Sequence, residues 1–134
     1  MRVATRECFR AARCGLDKIA EAFQFAGHDM AESGIVIDLM DQVLRLSELT
    51  KEAGLDGVVA SPLEIGVVRP LVRPGGWIVV PGIRPAGSDA GDQQRTAEPV
   101  AAVKAGATHL VVGRPITQAR EPTVVFEALC RAAT

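Results

Sequence analysis

WIVVPGIRPAGSDAGDQQR, residues 77–95, joins a short apolar run to a long stretch with no periodicity. Trp77, Ile78, Val79 and Val80 are continuously apolar, which suits a parallel strand covered on both faces. The stretch from Pro81 to Arg95 then follows neither a helical nor a strand pattern. Loops of this length in compact domains usually serve a function or are disordered. This one has glycines at 82, 87 and 91 beside Arg84, Ser88, Gln93 and Arg95. Glycine lets a backbone come close to a ligand, and N–H groups with a guanidinium fork suit a phosphate. Composition alone suits a solvated connection equally well.

Two further apolar runs flank this one: Gly57-Val58-Val59-Ala60 and His109-Leu110-Val111-Val112. The gaps between successive runs leave room for the helical crossovers that parallel pairing requires. The intervening stretches carry helix signals. Leu39, Val43, Leu46 and Ala53, with Met40 and Leu44 beside them, form an apolar stripe that Gly54 ends. Ser61-Pro62-Leu63-Glu64 reads as a capping box with proline at the first helical position. Pro99 opens a helix that Gly106 closes, and Pro122 opens a last one carrying Val124, Val125, Phe126 and Leu129. The predicted order is α-β-α-β-α-β-α.

After the third run comes Gly113-Arg114-Pro115-Ile116. Glycine removes bulk there, and Arg114 has the reach and charge for a dianion; an ordinary strand-to-helix turn reads the same. The two pieces gain weight together, because both follow successive predicted parallel strands. In (β/α)8 barrels the loops after strands seven and eight frequently form a phosphate site.

Composition narrows the function classes. The chain has 134 residues, 48% apolar and 23% charged, with a net charge of -1, so nothing points to nucleic acid or an acidic membrane. Aromatics make up 4%, too few for a base-stacking surface. No apolar run is long enough to span a bilayer. Cys8, Cys14 and Cys130 form neither a CxxC nor a zinc spacing, and free thiols in a reducing cytoplasm are expected. Arg2, Arg6, Arg10 and Arg13 precede no secretory core, and Glu7 and Asp17 interrupt the basic bias of a transit peptide. Phe9, Leu16, Ile19, Ala20 and Phe23 have helical spacing, so residues 1–30 are expected to be helical or disordered.

The stretches QVLRL (42–46), KEAGLDGVV (51–59), PGIRPAGSDAGDQQR (81–95) and LVVGRPITQA (110–119) resemble bacterial orotidine 5'-phosphate decarboxylases over roughly residues 31–131. The long loop followed by GRPIT is a specific pair of motifs. The resemblance implies an α/β fold: a partial (β/α)8 TIM barrel, about its last three βα units, with a helical N-terminal segment. Residues 31–134 would form the barrel portion and residues 1–30 a non-matching segment. It implies conversion of orotidine 5'-phosphate to UMP and CO2 without metal or organic cofactor. Arg84 and Gln93 would belong to the loop closing over the substrate phosphate. Gly113 and Arg114 would bind that phosphate, and Pro81 would lie near the pyrimidine. Two departures are Val80 and Glu98, where the family usually has Thr; the second should weaken a helix cap modestly.

The resemblance also implies residues that this sequence lacks. The family's Asp-x-Lys-x-x-Asp motif supplies an aspartate that stresses the carboxylate and a lysine that protonates the carbon as CO2 leaves. Lys18 has Glu21 three residues on but Leu16 where the first Asp should be, and neither Lys51 nor Lys104 fits. Neither His28 nor His109 stands at ligand spacing from another candidate, and Asp89 and Asp92 read as loop-shaping. The expected object is thus a decarboxylase-family fragment that binds a nucleoside monophosphate at most. The alternatives are a non-catalytic phosphate-binding module and one half of a split barrel completed by another chain. The long loop argues against a pentulose-phosphate epimerase. Three parallel strands cannot close a barrel, so self-association or pairing with a complementary half is expected.

Overall fold

A computed structural model describes residues 2–4, 19–21, 38–85 and 95–133 of the chain. Five parallel strands form one sheet. They are β1 (Arg2–Ala4), β2 (Ile19–Glu21), β3 (Gly57–Val59), β4 (Trp77–Val80) and β5 (His109–Val111), in the order β1-β5-β4-β3-β2. The helices are α1 (Leu39–Glu52), α2 (Ile65–Val68), α3 (Pro99–Ala105), α4 (Arg114–Thr117) and α5 (Pro122–Ala132). The three expected strands and the long helices around them are present within a residue or so of their predicted ends.

The sheet is wider than expected, and the N-terminal segment is the reason. Arg2–Ala4 pairs with His109–Val111, and Ile19–Glu21 pairs with Gly57–Val59, all in parallel. The helical expectation is therefore corrected at Ile19 and Ala20, which lie in a strand. Neither triplet has the apolar run of a buried strand; each is a strand because an existing edge offers it a ladder. Phe9, Leu16 and Phe23 lie outside the described residues. The first strand beside the last, with the others in sequence order, is the neighbour pattern of a (β/α)8 barrel wall.

Alternation along the strands sorts two faces. Val58, Ala60, Ile78, Val80, Leu110 and Val112 join Ile65, Val68, Ala102 and Leu129 from the helices in one core cluster. Val79 is also buried but points the other way, on the face that carries the half-buried Val59 and Val111. On that second face the rings of Trp77 and His109 lie 4.9 Å apart. Close approach of β3 to β4 depends on Gly57, where an added Cβ would overlap the Trp77 carbonyl oxygen.

Helix α1 starts where the Asp38 carboxylate accepts the Met40 N–H at 2.8 Å, and Gly54 follows its end at φ 67. Its buried face differs from the predicted stripe: Val43, Ser47 and Thr50 are buried, Leu46 is half-buried and Ala53 is exposed. The two hydroxyls tolerate burial because each donates to a carbonyl one turn back, Ser47 to Val43 and Thr50 to Leu46, both at 2.8 Å. Pro62 does not open a helix; residues 62–64 form a turn and α2 begins at Ile65. Pro99 and Pro122 do occupy first helical positions, and Gly106 caps α3 at φ 114.

Candidate functional site at the C-terminal strand edge

Strands β4 and β5 run side by side with Val80 opposite Leu110. The chain therefore leaves the sheet in neighbouring positions at the same edge, through Pro81-Gly82-Ile83-Arg84 and through Val112-Gly113-Arg114. This juxtaposition is what the sequence pattern required of a shared site.

Immediately beyond β4 the backbone turns at Gly82, whose φ of 77 favours glycine. Ile83 and Ala97 then pair as an isolated parallel bridge. The Arg84 N–H donates to the Ala97 carbonyl at 3.0 Å, and the Ala97 N–H donates to the Gly82 carbonyl at 3.3 Å. The long loop thus has a hydrogen-bonded neck. Arg84 is buried at that neck, with its Nη1 donating to the Ile83 carbonyl at 3.2 Å. Pro81 is half-buried beside it. Gln93 lies outside the described residues.

Across the edge, Gly113 caps the short helix α4, its carbonyl accepting the N–H groups of Ile116 (2.9 Å) and Thr117 (3.1 Å). Its φ is negative, and a Cβ built on it would meet no atom within 4 Å. No neighbouring side chain therefore needs the space that glycine leaves; the position is open to solvent. Arg114 is exposed on the same turn. Of the residues singled out, the structure groups Pro81 with Arg84 and Gly113 with Arg114 on adjacent loops.

A pair that sequence reading treated separately lies at the same edge. Glu64, from the turn after β3, is fully buried, and its Oε2 accepts the Ser61 N–H at 3.0 Å. This is one half of the expected capping box. The other half is absent, because the Ser61 hydroxyl has no hydrogen-bond partner among the described residues. The Glu64 Oε1 instead forms an ion pair with Arg95 Nη2. The partners stand far apart in sequence, on different βα turns, and no local pattern links them.

The described lysines lie elsewhere. Lys51 and Lys104 are exposed in the last turns of α1 and α3. A hollow lined by Thr50, Lys51, Gly54 and Arg73 opens at the start of β3, the opposite end of the sheet. On barrel proteins that end serves stability. Among the described residues no three His, Cys, Asp or Glu side chains converge as a metal site, and no helix is long and apolar enough to cross a membrane.

Parallel strands in this order, with paired loops at their C-terminal ends, define part of a (β/α)8 barrel. A family model described as Orotidine 5'-phosphate decarboxylase / HUMPS family matches residues 21–129, and the chain belongs to that family. It is 52% identical over 101 residues to an orotidine 5'-phosphate decarboxylase of Haemophilus ducreyi, covering 75% of this chain and 44% of that protein. To the enzyme of Methylorubrum extorquens it is 48% identical with the same coverage. The crystal structure of orotidine 5'-phosphate decarboxylase from Lactobacillus acidophilus superposes with a TM-score of 0.70 at 27% identity, covering 100% of this chain and 64% of that one. The chain thus spans less than half the length of these curated relatives.

Proposed function

We propose that the chain carries the phosphate-binding edge of an orotidine 5'-phosphate decarboxylase and that these 134 residues alone do not turn the substrate over. The supporting observation is the Val80–Leu110 register, which puts the loop after β4 next to the loop after β5. In this reading Gly113 offers backbone N–H to the phosphate of orotidine 5'-phosphate or UMP, and Arg114 offers a guanidinium fork. Arg84 and Gln93 belong to the loop that covers the phosphate, and Pro81 borders the pyrimidine. The open space at Gly113 supports close approach of a ligand there.

Decarboxylation in this family needs charged groups that this chain does not supply. The described lysines, Lys51 and Lys104, lie on exposed helix ends away from the C-terminal edge, and no Asp-x-Lys-x-x-Asp occurs in the sequence. Groups that stabilise a transition state act as a unit, so binding without them gives negligible rate. A second reading, one half of a split barrel, is favoured by the outer strands β1 and β2, which have no further strand beyond them among the described residues. Co-purification with a chain carrying Asp-x-Lys-x-x-Asp tests it.

Calorimetric titration with uridine 5'-monophosphate tests the main reading. Saturable binding that Arg114→Ala abolishes is expected, with no CO2 release from orotidine 5'-phosphate. A folded chain that binds no UMP sinks the phosphate site, and measurable decarboxylation sinks the claim of inactivity.

A further inference from the structure

The geometry points to Glu64 as a positioning residue: its buried carboxylate anchors Arg95, and through Arg95 the far side of the neck of the 81–95 loop. Glu64 sits in the turn after β3, one strand away from the loop it holds.

The Glu64 side chain is 1% exposed and that of Arg95 is 19% exposed. Arg95 Nη2 meets the Glu64 carboxylate, whereas its Nη1 is buried with no hydrogen-bond partner among the described residues. A guanidinium held this far from water depends on its counter-charge. Without that charge it must leave for solvent, because an uncompensated buried ion is strongly unfavourable. Arg95 stands two residues before Ala97, whose N–H and carbonyl make both backbone bonds of the neck. Movement of Arg95 therefore pulls on the strand of the neck that faces Ile83 and Arg84. The anchor links two successive βα turns, Glu64 after β3 and the loop after β4.

A capping role alone does not account for the carboxylate. Gln at position 64 can still accept the Ser61 N–H, as Glu or Gln does in a capping box. Only the ion pair requires the charge, so Glu64→Gln separates the two roles.

The test is amide hydrogen exchange of the parent chain, Glu64→Gln, and the double variant Glu64→Gln/Arg95→Met, which leaves no orphaned charge should the single variant fail to fold. Exchange at the Arg84 and Ala97 amides is expected to rise about tenfold or more, while the Ile78 and Thr108 amides of the sheet stay as they are. Unchanged neck amides in a folded variant, or an equal rise at all four positions, overturns the proposal. The consequence for ligand rests on the phosphate reading: UMP affinity should fall about tenfold in the same variants. If the parent binds no UMP but the neck amides respond, the phosphate reading falls and the anchor stands.

Discussion

Ile83 and Ala97 are bridge partners across the base of the long loop, although most of that loop separates them in sequence. The loop therefore enters and leaves the sheet edge at one place, and Arg84 on the entering side is fixed by that pairing. Arg114 has no comparable enclosure. The two arginines proposed for the phosphate thus differ in what they do for the fold.

That difference can be measured. Arg84→Ala removes a buried side chain whose guanidinium donates to the Ile83 carbonyl, and should destabilise the chain by about 1–2 kcal/mol in urea denaturation. Arg114→Ala changes an exposed position and should cost the fold less than Arg84→Ala. Both should lose UMP binding. Equal stability losses would contradict the assignment of Arg84 to the neck.

Gly57→Ala should be among the most damaging single-methyl changes in the molecule. The added Cβ would overlap the Trp77 carbonyl oxygen and lie 2.8 Å from its carbonyl carbon, atoms held by the sheet ladder. Overpacking against backbone that cannot move should cost about 3 kcal/mol, read as a drop in the urea midpoint at unchanged slope. A near-neutral result would mean that β3 and β4 are not paired in this register.

Thr108→Val keeps the shape of a side chain that extends the β4–β5 ladder beyond its last backbone pair. The Thr108 hydroxyl oxygen accepts the Ile78 N–H at 2.8 Å and also lies 3.0 Å from His109 Nδ1. Valine leaves the Ile78 N–H without that acceptor, at a cost of about 1–3 kcal/mol. Thermal melting checks the loss. Amide exchange at Ile78 should quicken more than at residues of α1.

Particular residues show what the sequence could and could not disclose. Runs such as Trp77–Val80 announced themselves, because a strand covered on both sides must be apolar throughout. Gly54 and Gly106 marked helix ends because their left-handed backbone favours glycine. Arg2–Ala4 and Ile19–Glu21 gave no such signal, since pairing with a ready-made edge asks little of the side chains. The α1 stripe was misjudged at Ser47 and Thr50, whose hydroxyls are satisfied within the helix and so tolerate burial. At the candidate site the composition and spacing drew attention to Gly82, Arg84, Gly113 and Arg114, which the structure places on adjacent turns. The Glu64–Arg95 pair was not legible, because it joins two turns that only the sheet brings together.

The same edge pairing governs association. Among the described residues the sheet ends at β1 and β2, so one ladder row of each strand lacks a protein partner strand. Such rows recruit other chains, and the half-buried Val59 and Val111 add apolar surface that is only partly covered. The 14.1 kDa chain should therefore run as more than a monomer in sizing at micromolar concentration. Removing residues 1–30 would strip the partners from β3 and β5 and expose edges built from Val58, Val59, Leu110 and Val111. The truncated chain should shift further toward large species, because these edges carry none of the charge of Arg2 or Glu21. A sharp monomer peak from both chains would show that neither edge is available for pairing in solution.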